Sequence, residues 1–189
     1  FVEDGKPPER LPFLTAEYFN PSSVYERAKP ATQAVRQARE TVAAFLGGVA
    51  LEEVLFTSGA TESVNAALHG AVRANSGRRH LVTTAVEHPA VYEVAKDLAR
   101  SGFEVDFLPV DRAGRCDPRA LARALRPGET LLVAVMHANN ETGVVFPVGE
   151  LARLTKETDP SILFFTDATQ TAGKVPLDLS GTLRDVDLL

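Results

Sequence analysis

From Val54 onward, short apolar, β-rich runs alternate with longer segments of helical periodicity, and this alternation constrains the fold more than any other feature. The strand candidates are VLFT (54–57), HLVTT (80–84), FEVDFLPV (103–110), TLLVAVM (130–136) and SILFFT (161–166). Helical patterns fill the gaps at 61–74, 89–101, 118–126 and 147–157. Pro89, Pro118 and Pro147 each stand where a first helical turn begins, and Gly102 and Gly128 stand just past predicted helix ends. Continuous apolar strands joined by helices predict an α/β fold: a mainly parallel sheet with helices on both faces.

Upstream, residues 31–46 read as an amphipathic helix, and residues 1–29, proline-rich and without periodicity, as an extended N-terminal arm. The ending DVDLL reads as the start of one more strand, so a truncated domain is expected over 30–189. The missing initiator Met likewise leads us to expect an absent natural N-terminus.

Composition narrows the class. The chain has 189 residues and 44% hydrophobic content, enough for one sizeable core. A net charge of −5 makes nucleic acid and anionic membranes poor partners. No apolar stretch approaches the ~20 residues that span a bilayer. The single cysteine, Cys116, excludes an internal disulfide and suits a reducing, cytoplasmic setting.

Ligands of open α/β sheets collect beyond the carboxyl ends of the strands, and four polar clusters fall there. TSGATES (57–63) combines a glycine turn with a helix start whose amides, with the Thr61 hydroxyl, suit a phosphate. It also reads as an ordinary helix cap. VEHPAV (86–91) puts His88 beside a positive helix end, which favours a neutral ring available for proton transfer; simple capping is the alternative. MHANNETG (136–143) gathers His137, Asn139, Asn140, Glu141 and Thr142, or is a solvated turn. ILFFTDATQTAGK (162–174) ends an apolar run on Asp167, a carboxylate that needs a cation or several donors if buried. A protonated heteroaromatic nitrogen is one such cation; a satisfied turn aspartate is the alternative. There is no GK[ST] and no GxGxxG, which argues against a nucleotide P-loop and a Rossmann dehydrogenase.

In this order and spacing, TSGATES, EHPAV, MHANNETG and DATQ resemble the cysteine desulfurases, fold-type I pyridoxal-phosphate enzymes of the class V aminotransferase group. The resemblance runs from about residue 20 to the last residue. It implies a cofactor-binding large domain. Ala60 and Thr61 would hold the cofactor phosphate, and His88 would stack on the ring and transfer protons. Asn140 and Gln170 would contact the phenolic oxygen and its surroundings, and Asp167 would pair with the protonated ring nitrogen. It further implies L-cysteine as substrate, a homodimer, a sulfur-acceptor protein such as an iron–sulfur scaffold, and no metal. The lysine that holds the cofactor covalently would come one strand after Lys174, beyond Leu189, so the chain alone is expected to be inactive. Cys116 is not expected to be the sulfur acceptor. A selenocysteine lyase, another class V aminotransferase or a non-catalytic scaffold of the same fold remain the alternatives.

Overall fold

Four runs of β-branched and large apolar residues pair into one fully parallel sheet: β1 (His80–Thr84), β2 (Glu104–Leu108), β3 (Thr130–Ala134) and β4 (Leu163–Phe165). Its order is β2-β1-β3-β4. The structure, a computed structural model, describes residues 11–75 and 77–189. Among the described residues six α-helices accompany the strands: α1 (Leu11–Thr15), α2 (Lys29–Phe45), α3 (Ala60–Ala74), α4 (Pro89–Arg100), α5 (Pro118–Ala124) and α6 (Val148–Thr158). Contacts gather into two units, one ending at Val54 and one beginning at Leu55.

In the second unit the parallel register fixes which residues share a face. Leu81, Leu132 and Leu163 lie in one row across the sheet, and Val82, Val133 and Phe164 in the next. The first row joins Val64 and Leu68 of α3 and Val91, Val94 and Leu98 of α4 in a single apolar cluster. The second row points to the opposite face and is wholly buried. The chain steps from β1 outward to β2 and then back past β1 to β3. Right-handed crossovers therefore place α4 and α5 on opposite faces, consistent with the packing of α3 on α4 and of α5 on α6. Each boundary has a local cause. His88 and Asp117 cap α4 and α5, each followed by proline at the first position, and Gly102 takes φ +89° just after α4.

Three sequence expectations change. VLFT (54–57) joins no strand of the sheet, and Leu55 and Phe56 are exposed. Strand-like composition needs a neighbouring ladder, and the β4 edge is met by the chain end instead: Leu188 bridges Phe165 in parallel, with Thr166 N donating to Leu188 O at 2.9 Å. DVDLL therefore does run along the sheet, as expected. The arm is not extended throughout, because Leu11–Thr15 forms a helical turn closed by Thr15 Oγ1 donating to Leu11 O at 2.9 Å. Residues 1–10 of the arm lie outside the described residues. Finally, Gly59 has an extended φ of 164° and open space where a Cβ would point, so no tight turn demands glycine there.

Candidate functional site

Between β1 and β3 the winding reverses, and the strands' continuations part company. Ala85 N donates to Leu108 O at 2.9 Å, drawing the chain after β1 toward β2. Val135 N and His137 N donate to Phe165 O and Asp167 O at 3.1 and 2.9 Å, drawing the chain after β3 toward β4. Such a switch point opens a crevice beyond the carboxyl ends of the strands. Here it holds a cavity of 190 Å³, an order of magnitude above the ~10–15 Å³ that a single water occupies on the same measure.

All six residues that the family resemblance assigns to the cofactor line this one cavity: Ala60, Thr61, His88, Asn140, Asp167 and Gln170. They arrive from four separate segments. Ala60 and Thr61 open α3, whose first amides have no partner within the helix. Glu62 reaches back to accept from Ser58 N (2.7 Å) and Ser58 Oγ (2.6 Å), but the N-cap is Gly59 and no side chain caps the first amides of α3, so the reading of TSGATES as a Ser or Thr cap does not hold. His88 is both cap and cavity wall. Its Nδ1 accepts from Ala90 N at 3.1 Å, which puts the proton of a neutral ring on Nε2. Asp167 Oδ1 accepts from Thr169 N at 2.9 Å, while Oδ2 has no partner among the described residues.

Of the dense polar set in MHANNETG, only Asn140 lines the cavity. Asn139 Oδ1 instead accepts from Glu141 N, Thr142 N and Thr142 Oγ1 at 3.0, 2.9 and 3.1 Å, shaping the loop. His137 is buried, with Nδ1 3.0 Å from Thr171 Oγ1, and burial pushes its pKa down. Lys174 is exposed, 3.4 Å from Gln170 Oε1, and is not a wall residue of the cavity. Cys116 is buried and its thiol is pushed up, first by burial and then by Asp117 and Glu87, which is the wrong direction for a nucleophile. Arg115, the nearby cation, is paired to Asp111 at 3.1 Å.

Sequence reasoning passed over Glu87. It is 7% exposed and accepts from Thr84 Oγ1 at 2.6 Å and from Met136 N at 3.0 Å on each oxygen. Burial raises its pKa from 4.5 to about 7 against the lowering effect of those donors, and the charge of Asp167 adds to the rise. The groups around it are thus Asp167, Cys116 and the adjacent His88. Between pH 4.5 and 7 the folded chain keeps a proton that the unfolded chain has lost. Stability from this group is therefore complete below 4.5 and disappears as pH rises to about 7. Glu87→Gln is expected to remove that loss, which is on the order of 3 kcal/mol at about 1.4 kcal/mol per unit. Urea unfolding of both proteins at mildly acidic and mildly alkaline pH measures it; parallel pH dependences would refute the assignment.

Around one space, then, stand helix-terminal amides, an aromatic ring, two carboxamides and a carboxylate oxygen. The set suits a flat heteroaromatic ligand that is cationic at one edge and carries a phosphate at another. The sequence profile of the class V aminotransferases matches residues 9–189, and the chain belongs to that family. It is 44% identical over 179 residues to the cysteine desulfurase IscS of Dictyoglomus turgidum, covering 94% of this chain and 44% of that protein. The cysteine desulfurase NifS of Azotobacter vinelandii is 42% identical over 181 residues, covering 96% and 44%. The solved structure of SspA in complex with cysteine superposes with a TM-score of 0.86 at 33% identity, covering 94% of this chain and 50% of that one. The motif resemblance to cysteine desulfurases therefore holds, and the chain spans less than half the length of these curated relatives.

Proposed function

We propose that this chain is the cofactor-holding part of a pyridoxal-phosphate-dependent cysteine desulfurase, which releases L-alanine and passes on the sulfur. The observation that carries the reading is the convergence of Ala60, Thr61, His88, Asn140, Asp167 and Gln170 on one cavity at the switch point. Identity of 42–46% to cysteine desulfurases supports the choice of substrate.

In this reading the α3 amides at Ala60 and Thr61, with the Thr61 hydroxyl, bind the phosphate through hydrogen bonds and the helix dipole. Asp167 Oδ2 pairs with the ring nitrogen and holds its proton. When bound, the cofactor supplies an electron sink for breaking bonds at the substrate α-carbon. Asn140 and Gln170 orient the ring through its phenolic oxygen. His88 covers one ring face and, with Nδ1 committed to Ala90, presents a proton at Nε2. A homodimer and a sulfur-acceptor protein accompany this reading. No helix among the described residues is long and apolar enough to cross a membrane.

The test is to load the complete gene product with pyridoxal phosphate and assay alanine released from L-cysteine in the presence of a thiol reductant. Alanine at a rate proportional to enzyme is expected. A loaded protein that releases none would refute the desulfurase reading while leaving the cofactor site standing.

A further inference from the structure

Amides of β3 alternate between its two neighbours. Val135 and His137 donate toward the β4 side, so Met136 N points toward β1. At that level the β1 chain has already turned away with Ala85. No backbone carbonyl replaces it; the Glu87 carboxylate does, with Met136 N 3.0 Å from both oxygens. A second side chain crosses the same gap in the other direction. Asn139 Nδ2 donates to Val86 O at 3.1 Å, on the turn that precedes Glu87. Thr84 Oγ1, at the end of β1, fixes the Glu87 carboxylate from below at 2.6 Å.

The two crossings flank the cavity walls. His88 directly follows Glu87, and Asn140 directly follows Asn139. We propose that Glu87 and Asn139 are positioning residues that stitch the β1–α4 turn to the β3–α6 loop where the strands part, and so set the separation of His88 and Asn140 across the cofactor cavity. Neither is a wall residue of the cavity. Both act through their neighbours. This inference rests on the cofactor reading above, because the separation matters only if one ligand must touch both walls.

The test titrates the ligand-free complete gene product with pyridoxal phosphate and follows the dissociation constant, the absorption maximum of the bound cofactor and the melting temperature. Glu87→Ala leaves Met136 N–H and the Thr84 hydroxyl without their acceptor and is expected to weaken binding about tenfold or more. Glu87→Gln keeps an oxygen for both donors and is expected to bind within about threefold of wild type. Asn139→Asp keeps the oxygen that shapes its own loop, removes the donations to Val86 O and Met136 Sδ, and sets a charged oxygen against the Val86 carbonyl. It is expected to weaken binding about fivefold or more and to shift the absorption maximum.

Wild-type affinity in Glu87→Ala or Asn139→Asp would overturn the positioning role alone. So would a folded Glu87→Gln as weak as the alanine variant. Should Glu87→Ala fail to fold, the comparison of Glu87→Gln with Asn139→Asp decides. A wild-type protein that takes up no pyridoxal phosphate overturns the proposed function, and this inference with it.

Discussion

Asp167→Asn, made in the complete cofactor-loaded protein, is expected to lower the rate of alanine formation by about two to three orders of magnitude, the range for removing a single preorganised electrostatic partner. The substitution is chosen for what it keeps. Asparagine retains an Oδ1 to accept from Thr169 N, the 2.9 Å bond that holds the turn after β4. It loses the negative charge at Oδ2, the oxygen with no partner among the described residues. Without that charge no carboxylate lining the cavity would hold a proton on the ring nitrogen of the proposed cofactor, and the ring's capacity to accept electrons would fall. The fold should be undisturbed, so the melting temperature stays within about 2 °C, as for a surface change of less than 1 kcal/mol. A variant retaining activity within threefold would show that Asp167 is not the partner of the ring.

The same variant carries a second readout. The charge of Asp167 contributes to the raised pKa of Glu87. Removing it should lower the Glu87 pKa, so the pH at which Glu87 sheds its stabilising proton moves down. A carboxylate lining the cavity and a carboxylate holding its wall are thus electrostatically coupled, although no hydrogen bond links them.

What was legible in the sequence depended on whether a residue was odd for its own surroundings. Asp167 stood out because it ends an apolar run, and His88 because it precedes a proline that starts a helix. Both lie on the cavity. Glu87 was just as odd, an acid between a buried strand and a helix, but its neighbour His88 drew the chemical attention. Its partner Met136 N is 49 residues away and becomes adjacent only through the order β2-β1-β3-β4. Alternating strands and helices predict a parallel sheet without predicting that order. In MHANNETG the five polar residues look equivalent by composition, and only the family resemblance singles out Asn140. The loop spends Asn139 on its own amides before Gly143 turns at φ +72°, leaving Asn140 for the cavity. VLFT shows the limit of composition, because β-propensity describes how a residue fits a pleated surface and cannot supply the neighbouring strand.

Phe164→Ala is expected to be the most destabilising single truncation in the sheet, at about 3–5 kcal/mol. Phe164 is 0% exposed and belongs to the row Val82–Val133–Phe164, on the face opposite the α3–α4 cluster. Its backbone is held from both ends: Phe164 N donates to Asp187 Oδ2 at 2.7 Å, and Phe164 O accepts from Leu188 N at 3.1 Å. With the main chain so fixed, the sheet cannot slide to fill the void, and the loss combines the transfer of a phenyl ring with an unrelaxed cavity. Set against an ordinary domain stability of about 5–15 kcal/mol, a loss of this size lowers the melting temperature by roughly 10 °C or more. Phe164 lies three residues before Asp167, so cofactor affinity should fall with stability in this variant, whereas Asp167→Asn separates the two. Thermal unfolding with and without pyridoxal phosphate measures both. A loss of less than about 1 kcal/mol would mean that this face of β4 is not packed as described.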